Sequence, residues 1–173
     1  MKFYYFLIPI FLTLNFSLID VAPKGLQVGD QMPYFSLINQ KGESFDSQDH
    51  IGKQPMLIFF FKKGTEALCK NYNCAFRNSF DGFKDLDMQI AGVSADNVTT
   101  HYAYAKKMGI SFPLLSDHKK RVHKLFGFSK SLLKRKNDKV CYISDKQGKI
   151  IYVINSHSEL QKKISEIVAS LKS

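Results

Sequence analysis

The chain has 173 residues, enough for one domain plus a short extension, and 45% of them are hydrophobic, enough for a packed core without covalent staples. Three cysteines exclude a disulfide-rich scaffold and leave room for a pair with one to spare. A net charge of +10, from 25 Lys+Arg against 15 Asp+Glu, raises nucleic acid as a partner. The densest cluster, Lys130, Lys134, Arg135, Lys136 and Lys139, has no interleaved aromatics and matches no nucleic-acid-binding pattern. It reads as a solvated basic loop, with no nucleic-acid partner, although a basic face can draw in anionic partners or lipid headgroups.

In chain order, Lys2 precedes an apolar run from Phe3 to Leu12 that continues, mostly apolar, to Ile19. A charged start followed by a hydrophobic stretch resembles a secretory signal. Roughly seventeen residues from Phe3 to Ile19 also reach the lower limit for spanning a bilayer, so an uncleaved membrane tether competes with it. A buried element of the domain is the third option, opposed by Pro9 inside the run and by the linker-like Pro23-Lys24-Gly25. The expectation is a targeting segment over residues 1–24, signal peptide or anchor, and one domain over residues 25–173. The protein is then exported (periplasmic or secreted) or membrane-anchored, with a cytoplasmic protein as the alternative.

Tyr34–Ile38 is a short strand-like run followed by a turn at Gln40-Lys41-Gly42-Glu43. Met56–Phe61, MLIFFF, is continuously apolar, as a central strand covered on both faces would be. Leu68 to about Lys84 has helical character, weakened by Asn71 and Asn73. Met88–Val93 predicts the next buried strand, Thr99–Met108 a helix closed by Gly109, and Phe112–Leu115 a short extended piece. Lys119–Phe126 predicts a helix that stops at Gly127. Val140–Ser144 and Lys149–Ile154 predict two strands joined by the hairpin loop Asp145-Lys146-Gln147-Gly148. Ser158–Leu171 closes the chain as an amphipathic helix with Leu160, Ile164, Ile167, Val168 and Leu171 on one face. The resulting order, β, βα, βα, βα, ββα, predicts an α/β fold: a thioredoxin-like mixed sheet flanked by helices.

Cys69 lies shortly beyond the MLIFFF strand, and chemistry in α/β sheets gathers at the carboxyl ends of strands. A thiol in the first turn of a helix sees unpaired backbone N–H groups, which favour the nucleophilic thiolate. Lys62, Lys63 and Lys70 push the same way, and Glu66 opposes them. Cys74 follows at i+5, about 7.5 Å along an intact helix and about 140° around it. A disulfide needs Cα atoms within roughly 7 Å, so these two can bond only if residues 68–76 unwind. Both cysteines as small, inert core residues is the bland alternative. A zinc site lacks the usual short C-x₂-C spacing, and neither metal nor cofactor is expected. Cys141, inside a strand-like run, reads as structural. His101, His123 and His157, on or beside helices among polar neighbours, read as surface or capping residues rather than bases.

Several motifs together resemble the peroxiredoxins, specifically the Q-type or bacterioferritin-comigratory branch. The similarity runs from about Leu26 to Ile154. It comprises Val28-Gly29-Asp30-Gln31-Met32-Pro33-Tyr34-Phe35-Ser36-Leu37, the Cys69–Arg77 stretch, Gly92-Val93-Ser94-Ala95-Asp96, Phe112-Pro113-Leu114-Leu115-Ser116-Asp117 and Tyr142–Ile150. The resemblance implies that Cys69 is the peroxidatic cysteine, Cys74 the resolving cysteine, and Arg77 a supporting residue. It further implies reduction of hydrogen peroxide or organic hydroperoxides and a thioredoxin-like reductant; a monomer or weak dimer is the assembly expected. The family signature Pro-x-x-x-Thr-x-x-Cys finds Lys62 and Glu66 at its first two fixed positions, with Thr65 adjacent. Lys139 stands where the family's arginine is expected. Those departures motivate two alternatives: a disulfide exchanger or redox sensor without efficient peroxide activation, and a non-enzymatic thioredoxin-fold binding module.

Overall fold

The computed structural model of the chain describes residues 25–61, 83, 86–128, 140–155 and 157–172. The targeting segment expected over residues 1–24 and the helix expected from Leu68 to Lys84, apart from Phe83, lie outside them, as does the basic cluster from Lys130 to Lys139.

Met56–Phe60 forms β3, every residue of it buried, and it does so for the reason its composition suggests. Alternate side chains leave a strand on opposite faces. Met56, Ile58 and Phe60 enter one core with Phe35, Phe45, Val122, Phe126 and Ile150. Leu57, Phe59 and then Phe61 enter the other with Tyr104, Leu114, Ile143 and Ile167. A strand apolar on both faces needs cover on both sides, and helices supply it.

Around β3 the described residues build a seven-stranded sheet in the order β2-β1-β5-β4-β3-β6-β7. The strands are β1 (Ser36–Ile38), β2 (Ser44–Asp46), β4 (Gln89–Ser94), β5 (Leu114–Ser116), β6 (Val140–Ser144) and β7 (Ile150–Ile154). β3, β4 and β5 run parallel, with Phe59 opposite Gly92 and Val93 opposite Leu115. β1, β2, β6 and β7 pair antiparallel on the two flanks. The three α-helices among the described residues are α1 (Val98–Met108), α2 (Arg121–Leu125) and α3 (His157–Lys172). Tyr104 and Ala105 of α1 and Ile167 of α3 pack on one face of the sheet, and Val122 of α2 on the other. The expected mixed sheet flanked by helices is what forms.

Local chemistry accounts for the boundaries. Asn97 accepts the Thr100 N–H at 2.8 Å and starts α1. Gly109 ends it in the left-handed region at φ 62°, where other residues are strained. Asp145 accepts the Lys149 N–H at 2.8 Å and closes the β6–β7 hairpin. Two expectations shift. Phe112–Leu115 becomes a strand only from Leu114 to Ser116, held by β4 on one side and β1 on the other. The sequence order also omits β2 and the short 3₁₀ turn Ser47–Asp49 after it. β2 has one apolar side chain, Phe45, stacked on Phe35 at 6.1 Å and on His50 at 4.9 Å, too little for a pattern to register.

Gly92 allows β4 to run against the aromatic layer. A Cβ placed there would lie 2.5 Å from Phe59 Cζ and 3.0 Å from Phe61 Cε1. Both rings are buried and stacked on each other at 5.7 Å, so neither has room to turn away. Gly92→Ala is expected to cost about 1–3 kcal/mol, read as a lower chemical-denaturation midpoint. An unchanged midpoint would mean that the aromatic layer repacks freely.

Candidate active site

The three parallel strands end together, and five buried polar side chains, Ser94, Asp96, His101, Asp117 and His123, gather there. Phe61 leaves β3 with its N–H bonded to the Val93 carbonyl at 3.0 Å. Ser94 closes β4, and its carbonyl accepts the Asp117 N–H at 2.8 Å, which ties the end of β4 to the turn after β5. Ser116 Oγ donates to the Asp96 carbonyl across the same gap. Val140, the first residue of β6, pairs with Phe60. The segments that begin at residue 62 and end at residue 139 therefore join the sheet side by side at this end.

Two buried imidazoles flank the exit of β3, one on each face. On the first face His123 Nδ1 lies 2.7 Å from Asp117 Oδ2, and the ring meets Phe60 edge-on with centroids 5.0 Å apart. The Asp117 carboxylate also accepts the backbone N–H groups of Arg121 and His123, each at 2.8 Å. Burial works to raise Asp117, but the His123 ring and the His123 and Val122 N–H groups outweigh it and hold the carboxyl below its ordinary value. On the second face His101 packs 5.8 Å from Phe61 and bonds Ser94 Oγ through Nε2 at 2.8 Å. Ser94 Oγ spends its proton on Asp96 Oδ2 at 3.2 Å, so His101 donates from Nε2 and its Nδ1 is left without a donor. Burial lowers the His101 pKa below 6.5, against the opposing pull of Asp96 and the Leu114 backbone.

Both histidines correct the sequence reading, which set them on helix surfaces. His101 is 0% exposed and His123 4%. His101, Tyr104 and Ala105 stand at i, i+3 and i+4, which makes them the inward stripe of α1. The signal was present in the spacing, while the polar neighbours belong to the opposite face. His123 is drawn inward by Asp117, a partner that periodicity does not reveal. His157 opens α3. Cys141 is buried and opposite Phe59, and burial pushes its thiol well above the ordinary range. It stays protonated and inert, as the sequence implied.

The buried imidazole of His101 carries a pH signature. In the folded chain its pKa is lowered, so below pH 6.5 the unfolded state binds a proton that the folded state refuses. Stability is full above that value and falls as pH drops toward the lowered one, then levels off. His101→Gln keeps a donor near the Nε2 position and should flatten that acid-side slope. Denaturation midpoints compared between about pH 8 and pH 5 check it, and parallel profiles would contradict it.

Cys69, Cys74, Thr65, Arg77 and Lys139, together with Lys62 and Glu66, lie outside the described residues. What is described is the frame that their segments enter. The AhpC/TSA family model covers residues 28–153.

The chain belongs to the AhpC/TSA family.

Among curated relatives, "Peroxiredoxin Q, chloroplastic" of Sedum lineare is 32% identical over 145 residues, 84% of this chain and 77% of the relative. The protein of the same name from Populus jackii is 30% identical over 145 residues, 84% of this chain and 68% of the relative. The Triticum aestivum protein is 31% identical over 138 residues, 80% of this chain but 63% of its own length, so this chain spans rather less than the whole of such plant relatives. Among solved structures, peroxidoxin BcpB from Mycobacterium tuberculosis superposes with a TM-score of 0.70 at 24% identity, covering 85% of this chain and 97% of that one. At that identity the likeness shows the fold alone. The peroxiredoxin resemblance drawn from the motifs is thus met, and the thiol peroxidase reading stands ahead of the exchanger and the binding module.

Proposed function

We propose that this thiol-dependent peroxidase of the AhpC/TSA family works through Cys69, with Cys74 as its resolving partner. The observation that carries the assignment is that Cys69 follows β3, whose carboxyl end lies beside the polar termini of β4 and β5 in a chain of this family. The Cys69 thiolate attacks one peroxide oxygen, the O–O bond breaks, and the departing alkoxide or hydroxide takes up a proton. Cys69 becomes a sulfenic acid. The Cys74 thiol attacks that sulfur, water leaves, and a Cys69–Cys74 disulfide forms. A dithiol reductant of the thioredoxin type then exchanges with the disulfide, is itself oxidised, and returns both thiols. Lysine at position 139 supplies positive charge without the planar fork of arginine, and Thr65 and Arg77 are the other supporting side chains of the proposal.

Oxidation with one equivalent of peroxide, followed by intact-mass and peptide mapping, tests the assignment. The wild type is expected to lose two hydrogens, mapped to a Cys69–Cys74 link. Cys74→Ser is expected to stop at a sulfenic acid that a dimedone-type reagent captures on Cys69. A bridge to Cys141, or no bridge under mild oxidant, would contradict it.

The hydrophobic run of residues 3–19 supports an exported or membrane-anchored protein, and N-terminal sequencing of the mature chain separates the two. A monomer or weak dimer is the assembly proposed, and sedimentation of reduced and oxidised protein tests it.

A further inference from the structure

The described chain starts at residue 25, and its place is fixed. The Leu26 N–H bonds the Phe126 carbonyl at 3.5 Å, and Gly25 lies against that same carbonyl and the Tyr142 hydroxyl. Phe126 is the residue immediately after α2. The hydrophobic segment that ends near residue 19 is therefore joined, through Lys24, to the domain at the carboxyl end of this short helix.

α2 is two-faced. Val122 and His123 turn inward, at 3% and 4% exposure, while Arg121, Lys124 and Leu125 share the outer face at i, i+3 and i+4. Leu125 is 50% exposed, a large apolar side chain set among cations. His118, Lys119 and Lys120, just before the helix, are exposed as well. The ion pairs among the described residues are His123–Asp117 and Lys163–Glu159, and none involves Lys119, Lys120, Arg121 or Lys124. At 1.5 Å per residue Arg121 lies about 7.5 Å along the helix from Phe126, with Lys119 and Lys120 directly before it, so the basic run is close to the point where the chain enters the domain.

We infer that the outer face of α2, with Lys119 and Lys120, docks on the anionic surface of the bilayer that holds residues 3–19. This rests on the membrane-anchored form of the proposed function. Four to eight cations beside a membrane-inserted segment are the pattern that recognises anionic lipid headgroups. An apolar side chain between them adds shallow insertion, so the patch sets how the tethered domain lies on the bilayer rather than whether it stays attached. The net charge of +10 acts in the same direction over longer range.

Lysine footprinting tests the docking on the full chain. The protein is reconstituted with vesicles of phosphatidylcholine alone, or with about 30% phosphatidylglycerol, floated, and modified with an amine-acylating reagent before mass spectrometry. Modification of Lys119, Lys120 and Lys124 is expected to fall about fivefold in the anionic vesicles relative to the neutral ones. It should recover at about 0.5 M salt, and Lys41 and Lys53 should be unaffected. The variant Lys119→Glu/Arg121→Glu/Lys124→Glu should lose the lipid dependence while consuming peroxide normally with dithiothreitol. Equal footprints in the two vesicle types, or protection centred on Lys41 and Lys53, overturns the inference. Flotation with anionic vesicles alone, abolished in the variant, supports docking while removing the tether. Flotation with neither removes both. Normal peroxide consumption throughout keeps the peroxidase assignment separate from these outcomes.

Discussion

Asp117→Ala is expected to lower the stability of the domain by about 2–5 kcal/mol, because it takes the acceptor from two buried donors of His123, the ring Nδ1 and the backbone N–H. The substitution strands His123 Nδ1, 2.7 Å from the lost oxygen, beside the rings of Phe60 and Phe128. It also leaves the N–H groups of Arg121 and His123 without the carboxylate that now accepts them. Each such stranded donor costs about 1–3 kcal/mol when buried, although Arg121 is open enough to recover water. Asp117→Asn keeps the shape and one acceptor and should cost clearly less. The acid side carries a second signature. Asp117 is held below its ordinary 3.8, so its contribution is present above that value and is lost as pH falls through the lowered one. Equilibrium denaturation of the three proteins, repeated down the acid range, checks both statements. A loss under about 1 kcal/mol for the alanine variant would mean that the pair does not hold the β5–α2 turn.

The second large effect falls on the rate. Restoring the family's residues with Glu66→Thr and Lys139→Arg is expected to speed oxidation of Cys69 by about tenfold to a hundredfold, below the roughly 100- to 1,000-fold of one fully preorganised donor because Pro is not restored at position 62. Glu66 places a carboxylate three residues before the thiol and opposes its ionisation, so threonine removes a penalty and adds a hydroxyl donor. Arginine adds a fork able to reach thiolate and peroxide together, which a single ammonium cannot do. Stopped-flow measurement of thiol loss against peroxide concentration decides it. An unchanged or slower double variant would show that this chain aligns peroxide by other means, with Thr65 and Lys62 the residues to test next.

How much could be read from the chain depended on whether a residue's partners are local. β3 was legible because five consecutive apolar residues have no solvent face to explain. The end of α1 was legible because Gly109 is a local answer to a local need. β2 was not, since Ser44-Phe45-Asp46 owes its strand geometry to pairing with β1 rather than to its own pattern. The two histidines were misread for a related reason. Burial of His123 goes with Asp117, a partner in the turn after β5, while His101 shares the inward stripe of α1 with Tyr104 and Ala105. Polar neighbours in sequence say nothing about that. Cys141 was placed correctly because the run Val140–Ile143 identifies a buried strand by itself. For the proposed pair, Cys69 and Cys74, the spacing within motifs set in family order was the whole of the signal.

Cys69 is the sulfur that peroxide is proposed to oxidise. The direct measurement is the second-order rate constant for peroxide with the reduced wild type, beside Cys69→Ser and a free small thiol under the same conditions. The wild type is expected to react far faster than the free thiol, and Cys69→Ser to consume no peroxide beyond background. A wild type no faster than the free thiol, or a Cys69→Ser variant that keeps its rate, would contradict it.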